Sequence, residues 1–288
     1  MTMKTKPTAF ALIVPRFEDV LHSFYASEII KGVSLSASHL KADVIIHITE
    51  RLQHEDWLSW PILNSSYIDG ILFADINGDK ATLLKVIAKG IPYLVLNNHF
   101  TENINCISID NEKAALEAME YLIKLGHKKI ATIAGDLSTQ AGKARLKGYK
   151  EALAKHNIPL KDEYITIGNF LRTPARQSAE KLLHLNTRPT AIFAASDVMA
   201  LEAIDLAKKE GLAIPEDLSI IGFDDNPVAM YSSVGLTTVR QPIVEMGQLG
   251  LETLHQISQG KLKLPTKTIL PAKLVLRESC VKPRKEKQ

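Results

Sequence analysis

TAIFAASDVMALEAIDLAKKEGLAIPEDLSIIGFDDNPVAMYSSVGLTTVRQP, residues 190–242 of a 288-residue chain, decides the fold. It opens on Ala191-Ile192-Phe193-Ala194-Ala195, an apolar run of strand length, and drops into Ser196-Asp197. Ser or Asp before a helical pattern is an N-cap signal, because the short oxygen-bearing side chain accepts from the first free helix N–H groups. Met199, Leu201, Ala203, Ile204 and Ala207 then recur at helix spacing, Gly211 stops the helix and Pro215 prevents its restart. Residues 218–222 form a second apolar strand that ends in Asp224-Asp225. Two strands joined by one crossover helix make a βαβ unit and imply a parallel sheet. Polar groups gather where those strands end, the edge at which open α/β sheets bind ligands.

The same alternation extends in both directions. Upstream, strands are predicted over residues 8–14, 44–48, 69–73, 91–96 and 106–109, with helices over 24–40, 57–63 and 81–88. A second run starts at Asp110-Asn111: helix 112–125 closed by Gly126, strand 129–134, helix 140–156, strand 164–167 and helix 175–185, leading into the opening stretch. After Gln241 come a helix over 243–258 and two short strands, 268–270 and 273–276, which have no sheet of their own and must join sheets already built. The fold class is therefore α/β, with two doubly wound parallel-sheet lobes.

Bulk properties exclude several functions. Hydrophobic residues make up 45% and charged residues 23%, ordinary for a folded soluble chain. The formal net charge of +3 resides at the ends: Lys4, Lys6, Lys282, Arg284, Lys285 and Lys287, less Glu286, leave the body slightly acidic. An acidic body lacks the clustered positive charge that nucleic acid requires. Cys106 and Cys280 are too few for a disulfide framework and have no metal-ligand spacing, so inert thiols in a reducing compartment are expected. The nine histidines form no HxxxH or HExxH, so no metal is expected. No GxGxxG, GxxxxGK[ST] or GxSxG occurs, so neither a cofactor nor catalysis is expected. The short apolar run near the N-terminus is only a strand long, and no run reaches membrane-spanning length; a cytoplasmic location with no membrane partner follows.

Seven motifs then occur in order: Asp110-Asn111, LGHKKIA (125–131), RLKGY (145–149), SDVMA (196–200), PEDLSIIGFDD (215–225), LTTVRQP (236–242) and LRES (276–279). Together they resemble the effector-binding core of the lactose-repressor (LacI/GalR) family of bacterial transcription regulators, over nearly all of residues 8–280. One step further out, the chain is similar to periplasmic sugar-binding proteins of the same type I fold, which makes a transporter's solute-binding protein the alternative. The resemblance implies three crossovers between lobes, near Ile109, Arg240 and Leu270. It divides the chain into an N-terminal lobe (8–109 with 241–269), a C-terminal lobe (110–240 with 270–280) and a basic tail (281–288). It also implies a small effector, a sugar or sugar derivative, in an interlobe cleft whose closure shifts a hinge equilibrium. A homodimer follows from the same resemblance. Operator DNA would be reached only through a helix-turn-helix headpiece, which is not expected within this sequence.

The resemblance carries individual residues into the ligand site. Arg145, with its fork of donors, and Asp224, an acceptor for ligand hydroxyls, match its polar positions, and Gln241 can donate and accept at once. Phe170 matches a position that stacks on a flat ligand face, and Phe24 and Tyr25 match an aromatic pair at the first loop-to-helix junction. The preceding loop is about a residue longer than the family's usual pattern, which displaces His22 and Ser23 from a clear match. Ser196-Asp197 replaces the family's frequent Asn-Asp, and Asn97-Asn98 replaces Asp-Arg, pointing to a ligand other than the simplest pentoses. Asp225, Trp57 and Trp60 read as structural.

Overall fold

The computed structural model describes residues 8–16, 23–50, 60–64, 66–74, 80–230 and 233–284. His22, Trp57 and the last four residues of the basic tail lie outside the described residues. The chain forms two compact units: residues up to Ile109 with Pro242–Leu270, and Asp110–Gln241 with the chain from Pro271 onward. It therefore passes from one unit to the other after Ile109, Gln241 and Leu270.

The first unit contains β1 (Ala9–Arg16), α1 (Phe24–Leu40), β2 (Asp43–Glu50), β3 (Gly70–Ala74), α2 (Lys80–Ile87), β4 (Tyr93–Leu96) and β5 (Cys106–Ile109). Five strands pair in parallel in the order β5-β4-β3-β1-β2. The strand order reverses between β1 and β3, the switch point typical of doubly wound sheets. Every residue of β3, β4 and β5 is buried, because helices cover both faces of a parallel sheet and leave no polar side. On one face, Ile13, Ile71, Phe73, Leu83 and Val95 pack with Trp60 and Leu63.

The helix expected over 57–63 is reduced, within the described residues, to one 3-10 turn, Pro61–Asn64. Trp60 precedes it as buried core, its ring 4.6 Å from that of His47. Proline suits the first position of a helical turn, and Pro61 takes that position here; residues 57–59 of the expected helix lie outside the described residues.

The second unit contains α3 (Asn111–Lys124), β6 (Ile130–Ala134), α4 (Gln140–Lys155), β7 (Ile165–Ile167), α5 (Arg172–Leu183), β8 (Ala191–Ala194), α6 (Asp197–Lys209), β9 (Ser219–Ile221), α7 (Pro227–Met230) and β10 (Thr238–Arg240). Its sheet is parallel in the order β7-β6-β8-β9, with the switch between β6 and β8. The expected caps form: Asp110 accepts from the Lys113 N–H at 2.9 Å and Ser196 from the Met199 N–H at 3.4 Å. Gly126 follows α3 at φ +104°, a conformation that costs glycine little.

Of the two closing strands, Lys267–Leu270 joins an existing sheet, whereas Lys273–Val275 makes a separate two-stranded sheet with β10, against the expectation that both would join sheets already built. Helix α8 (Ile243–Ser258) packs on α1 in the first unit, β11 (Lys267–Leu270) pairs in parallel with β5, and β12 (Lys273–Val275) pairs antiparallel with β10. Residues 237–239 also run beside β9: the Gly222 N–H donates to the Thr237 carbonyl and the Asp224 N–H to the Val239 carbonyl. Both thiols are buried, and burial pushes Cys280 up to about 12. Among the described residues no helix is long and apolar enough to cross a membrane.

Candidate functional site

In the second unit, the residues just past β6, β7, β8 and β9 share the C-terminal edge of one parallel sheet. Arg145 reaches this edge from α4 and is only 3% exposed. Its Nε donates to Asn111 Oδ1 at 2.9 Å and its Nη1 to the Ala195 carbonyl at 2.7 Å, with Asp224 Oδ1 at 3.5 Å. The guanidinium carbon lies 3.6 Å from the centre of the Phe223 ring and 5.7 Å from that of Phe170. A planar cation stacked and forked in this way has little rotational freedom left, which an ammonium group could not reproduce.

Asp224 follows β9 with φ +119°, and its side chain keeps 22% exposure. Its Oδ1 also accepts from Gln241 Nε2 at 2.6 Å. Burial raises its proton affinity to about 6, against the opposing pull of Arg145 and Gln241. Gln241 is 7% exposed, and its Oε1 is buried with no hydrogen-bond partner among the described residues. A buried amide oxygen without a donor costs free energy of about 1–3 kcal/mol, so it marks a place where a donor is wanted. Arg145, Asp224 and Gln241 are thus brought together from positions far apart in the chain.

The other expected residues are distributed differently. Phe170 sits in the turn after β7 at φ +61°, its ring laid on Gly135 so closely that a β-carbon there would come within 2.0 Å. Ser196 is 4% exposed and spends its hydroxyl oxygen on capping α6. Asp197 faces inward with 0% exposure; Oδ1 accepts from the Thr238 hydroxyl at 2.6 Å and Oδ2 from the Asn226 N–H at 2.7 Å. Burial, and then the nearby Asp224 carboxylate, push its proton affinity well above the usual carboxylate range. Asp225 is held by Arg240 at 2.5 Å and Arg277 at 2.6 Å.

Three of the expected residues belong to the first unit. Phe24 and Tyr25 begin α1, behind the N-cap Ser23, whose Oγ accepts from the Ala26 N–H at 3.3 Å. Asn97 follows β4 at φ +62° and is 6% exposed. Its N–H donates to the Ile107 carbonyl at 2.8 Å, while its buried Oδ1 has no partner among the described residues. Both places are at the C-terminal edge of that unit's sheet.

Comparison with known proteins identifies the family and the fold. Residues 119–280 match the family model for a periplasmic binding protein-like domain. The transcriptional regulator DegA of Bacillus subtilis is 34% identical over 93% of this chain and 80% of its own. The chain belongs to the LacI family of transcriptional regulators. A solved complex of the regulator CelR with cellobiose superposes with a TM-score of 0.87 at 27% identity, covering 96% of this chain and 86% of that one. A putative LacI regulator from Bacillus cereus gives 0.88 at 26% identity, covering 96% and 99%.

With the family in hand, its motifs separate into two kinds. RLKGY and the aspartate after GF supply Arg145 and Asp224 at the C-terminal edge of the sheet. LTTVRQP and LRES mostly stitch the end of the sheet: Ser279 Oγ donates to the Ile220 carbonyl at 2.5 Å and accepts from the Thr237 N–H at 2.9 Å. Arg277 donates to the Leu236 carbonyl at 2.8 Å. The histidine of LGHKKIA is 1% exposed, with Nδ1 2.9 Å from Thr190 Oγ1 and Nε2 donating to the Val281 carbonyl at 2.8 Å. Sequence reasoning missed Asn111 and Phe223 as the supports of Arg145. Asn111 had a signal, since a second polar side chain directly after the N-cap Asp110 and on a buried helix start requires a partner.

Proposed function

We propose that the second unit holds a small polyhydroxylated effector, a sugar or sugar derivative, at Asp224 and Gln241. The observation that carries this reading is the buried, unpartnered Oε1 of Gln241, beside an Asp224 carboxylate whose Oδ1 is already fixed by Arg145 and by the Gln241 amide. Ligand hydroxyls can donate to Gln241 Oε1 and to the partly exposed Asp224 together, and Phe170 offers an apolar face in the same region. The sugar in the CelR complex supports the class. Phe24, Tyr25 and Asn97, at the sheet edge of the first unit, are proposed as ligand contacts in their own right, and Ser196 contributes through the α6 cap.

In this reading the chain binds and releases its ligand unchanged. The ligand alters a regulator's state only by the difference in its affinity for two forms. The regulator acts in the cytoplasm as a homodimer, and reaches operator DNA through a helix-turn-helix segment of the kind that DegA's family carries.

The test is thermal unfolding against a panel of mono- and disaccharides, including cellobiose, and nucleosides. A binder raises the melting temperature with the logarithm of its concentration. Arg145→Ala and Asp224→Asn are expected to remove that response while circular dichroism stays native. A panel in which nothing shifts the melting temperature, or variants that respond like the parent chain, would overturn the assignment.

A further inference from the structure

Asp197, expected among the ligand contacts, is fully buried and has both carboxylate oxygens bonded within this unit. It opens α6; two bonds tie it to the segment that carries Asp224 and a third ties it to β10. Its own N–H donates to the Phe223 carbonyl at 2.7 Å, its Oδ2 accepts from the Asn226 N–H at 2.7 Å, and its Oδ1 accepts from the Thr238 hydroxyl at 2.6 Å. A β-carbon on Gly222 would lie 2.2 Å from Asp197 Oδ1, so a glycine is needed for the carboxylate to come this close. Between the anchored residues, Asp224 stands at φ +119° and Asp225 at φ +55°. Side-chain-bearing residues hold such backbone angles only where their surroundings impose them.

The remaining charged and polar groups around this turn are engaged elsewhere. Arg145, from α4, and Gln241, after β10, bond to Asp224. Arg240 and Arg277 bond to Asp225. Asp197 takes a hydroxyl and a backbone amide in place of a cation, an arrangement that holds geometry without neutralising charge.

We propose that Asp197 is the positioning residue for Asp224: out of reach of the ligand, it clamps residues 222–226 against α6 and β10 and so fixes the direction in which the Asp224 carboxylate is presented. The functional meaning of this clamp rests on the ligand reading above; the clamp itself does not. The bond to Asn226 needs an acceptor oxygen. The bond to Thr238 works with either a donor or an acceptor, because a hydroxyl can play both parts. Asparagine at 197 therefore preserves the clamp, whereas alanine removes it.

The experiment is NMR on isotopically labelled full-length chain, reading hydrogen exchange at the Asn226 amide and the pH titration of the Asp224 carboxyl carbon, assigned by its loss in Asp224→Asn. Asp197→Asn is expected to keep Asn226 exchange within about threefold of the parent chain, and Asp197→Ala to accelerate it by about tenfold or more. Alanine is also expected to lower the Asp224 midpoint, as water reaches a carboxylate no longer held in place. Thr238→Val, which deletes one arm of the clamp, is expected to fall between them, and keeps the test usable if the alanine variant does not fold. A folded Asp197→Asn with unprotected Asn226, or Asp197→Ala or Thr238→Val with exchange and titration unchanged, would overturn the clamp. These readouts need no ligand, so their success beside an unresponsive sugar panel counts against the sugar reading alone.

Discussion

Arg145 is stacked on Phe223, its guanidinium carbon 3.6 Å from the ring centre, and the residue after that phenylalanine is the aspartate it pairs with. One short segment thus supplies both the platform and the counter-charge, so the arginine and the turn position one another. Arg145→Lys is expected to fail almost as completely as Arg145→Ala in ligand binding, since an ammonium provides neither the stack nor the bonds to Asn111 and Ala195. Arg145→Ala is also expected to lower stability by about 1–3 kcal/mol, because Asn111 Oδ1 and the Ala195 carbonyl lose a charged donor in a buried setting. Denaturant unfolding of both variants checks the second expectation, and a lysine variant with undiminished ligand response would contradict the first.

Asp224 gives the site a pH dependence whose sign is fixed. Its folded-state value of about 6 lies above the ordinary 3.8. Its contribution to stability is therefore fully present below the unfolded value and is lost as pH rises through about 6. The full shift corresponds to an upper limit on the order of 3 kcal/mol, lessened by the partial exposure of the side chain. Asp224→Asn is expected to gain stability relative to the parent chain as pH is raised from 4 to about 7.5, with most of the gain between about 4 and 6 and little above that. Affinity for a hydroxyl-donating ligand should run the other way, rising as the carboxylate ionises. Parallel unfolding and binding series across that window check both, and a pH-independent difference between the two chains would refute the titration.

His127 works with the opposite sign. It is buried, and desolvation lowers its proton affinity despite the Val281 carbonyl facing Nε2. A histidine depressed on folding contributes stability that is present above the unfolded value of about 6.5 and is lost as pH falls through the lower folded value. The parent chain should therefore lose stability below neutrality by a route that His127→Gln reduces. At neutral pH that variant should cost about 1–3 kcal/mol, since it disturbs bonds that tie residue 281 to residue 190. Melting temperatures of both chains from pH 5 to about 8 provide the check.

How much of this could be read from the sequence depended on the distance over which each signal acts. Helix 243–258 and strand 106–109 were legible to their last residues, because an amphipathic period and an unbroken apolar run are local. The N-caps at Asp110 and Ser196 were legible for the same reason. Arg145, Asp224 and Gln241 could be named only through family motifs, since nothing in their own neighbourhoods announces that folding brings them together. The inward turn of Asp197 was hidden entirely. Its partners Asn226 and Thr238 lie 29 and 41 residues away. Its cap-like position beside Ser196 reads equally well as a ligand-facing acid. Short 3-10 turns such as Pro61–Asn64 carry too few residues to show a period, which is why a longer helix was expected there.

The first unit carries a packing constraint that can be tested without any ligand. Helices α1 and α8 cross at Gly32 and Gly247, where a β-carbon on Gly32 would stand 2.1 Å from the Val244 carbonyl oxygen and one on Gly247 would stand 2.7 Å from that of Ile29. Both obstacles are backbone atoms, so no side-chain rotation relieves them and the helices must separate. Helix propensity alone favours alanine over glycine by about 1 kcal/mol, so an unconstrained site would be stabilised by the change. Here the steric term opposes it: overpacking of a buried contact costs about 1–3 kcal/mol, and more where backbone must move. Gly32→Ala is accordingly expected to destabilise the chain, and Gly32→Ala with Gly247→Ala to do so less than additively, because helices already forced apart accommodate the second methyl. The control is Gly260→Ala: nothing lies within 4 Å of a β-carbon there, and the cost comes from its φ of +65° alone. Urea unfolding of these four chains, together with Gly247→Ala alone to complete the cycle, decides the matter, and a neutral or stabilising Gly32→Ala would show that the crossing has more room than this packing allows.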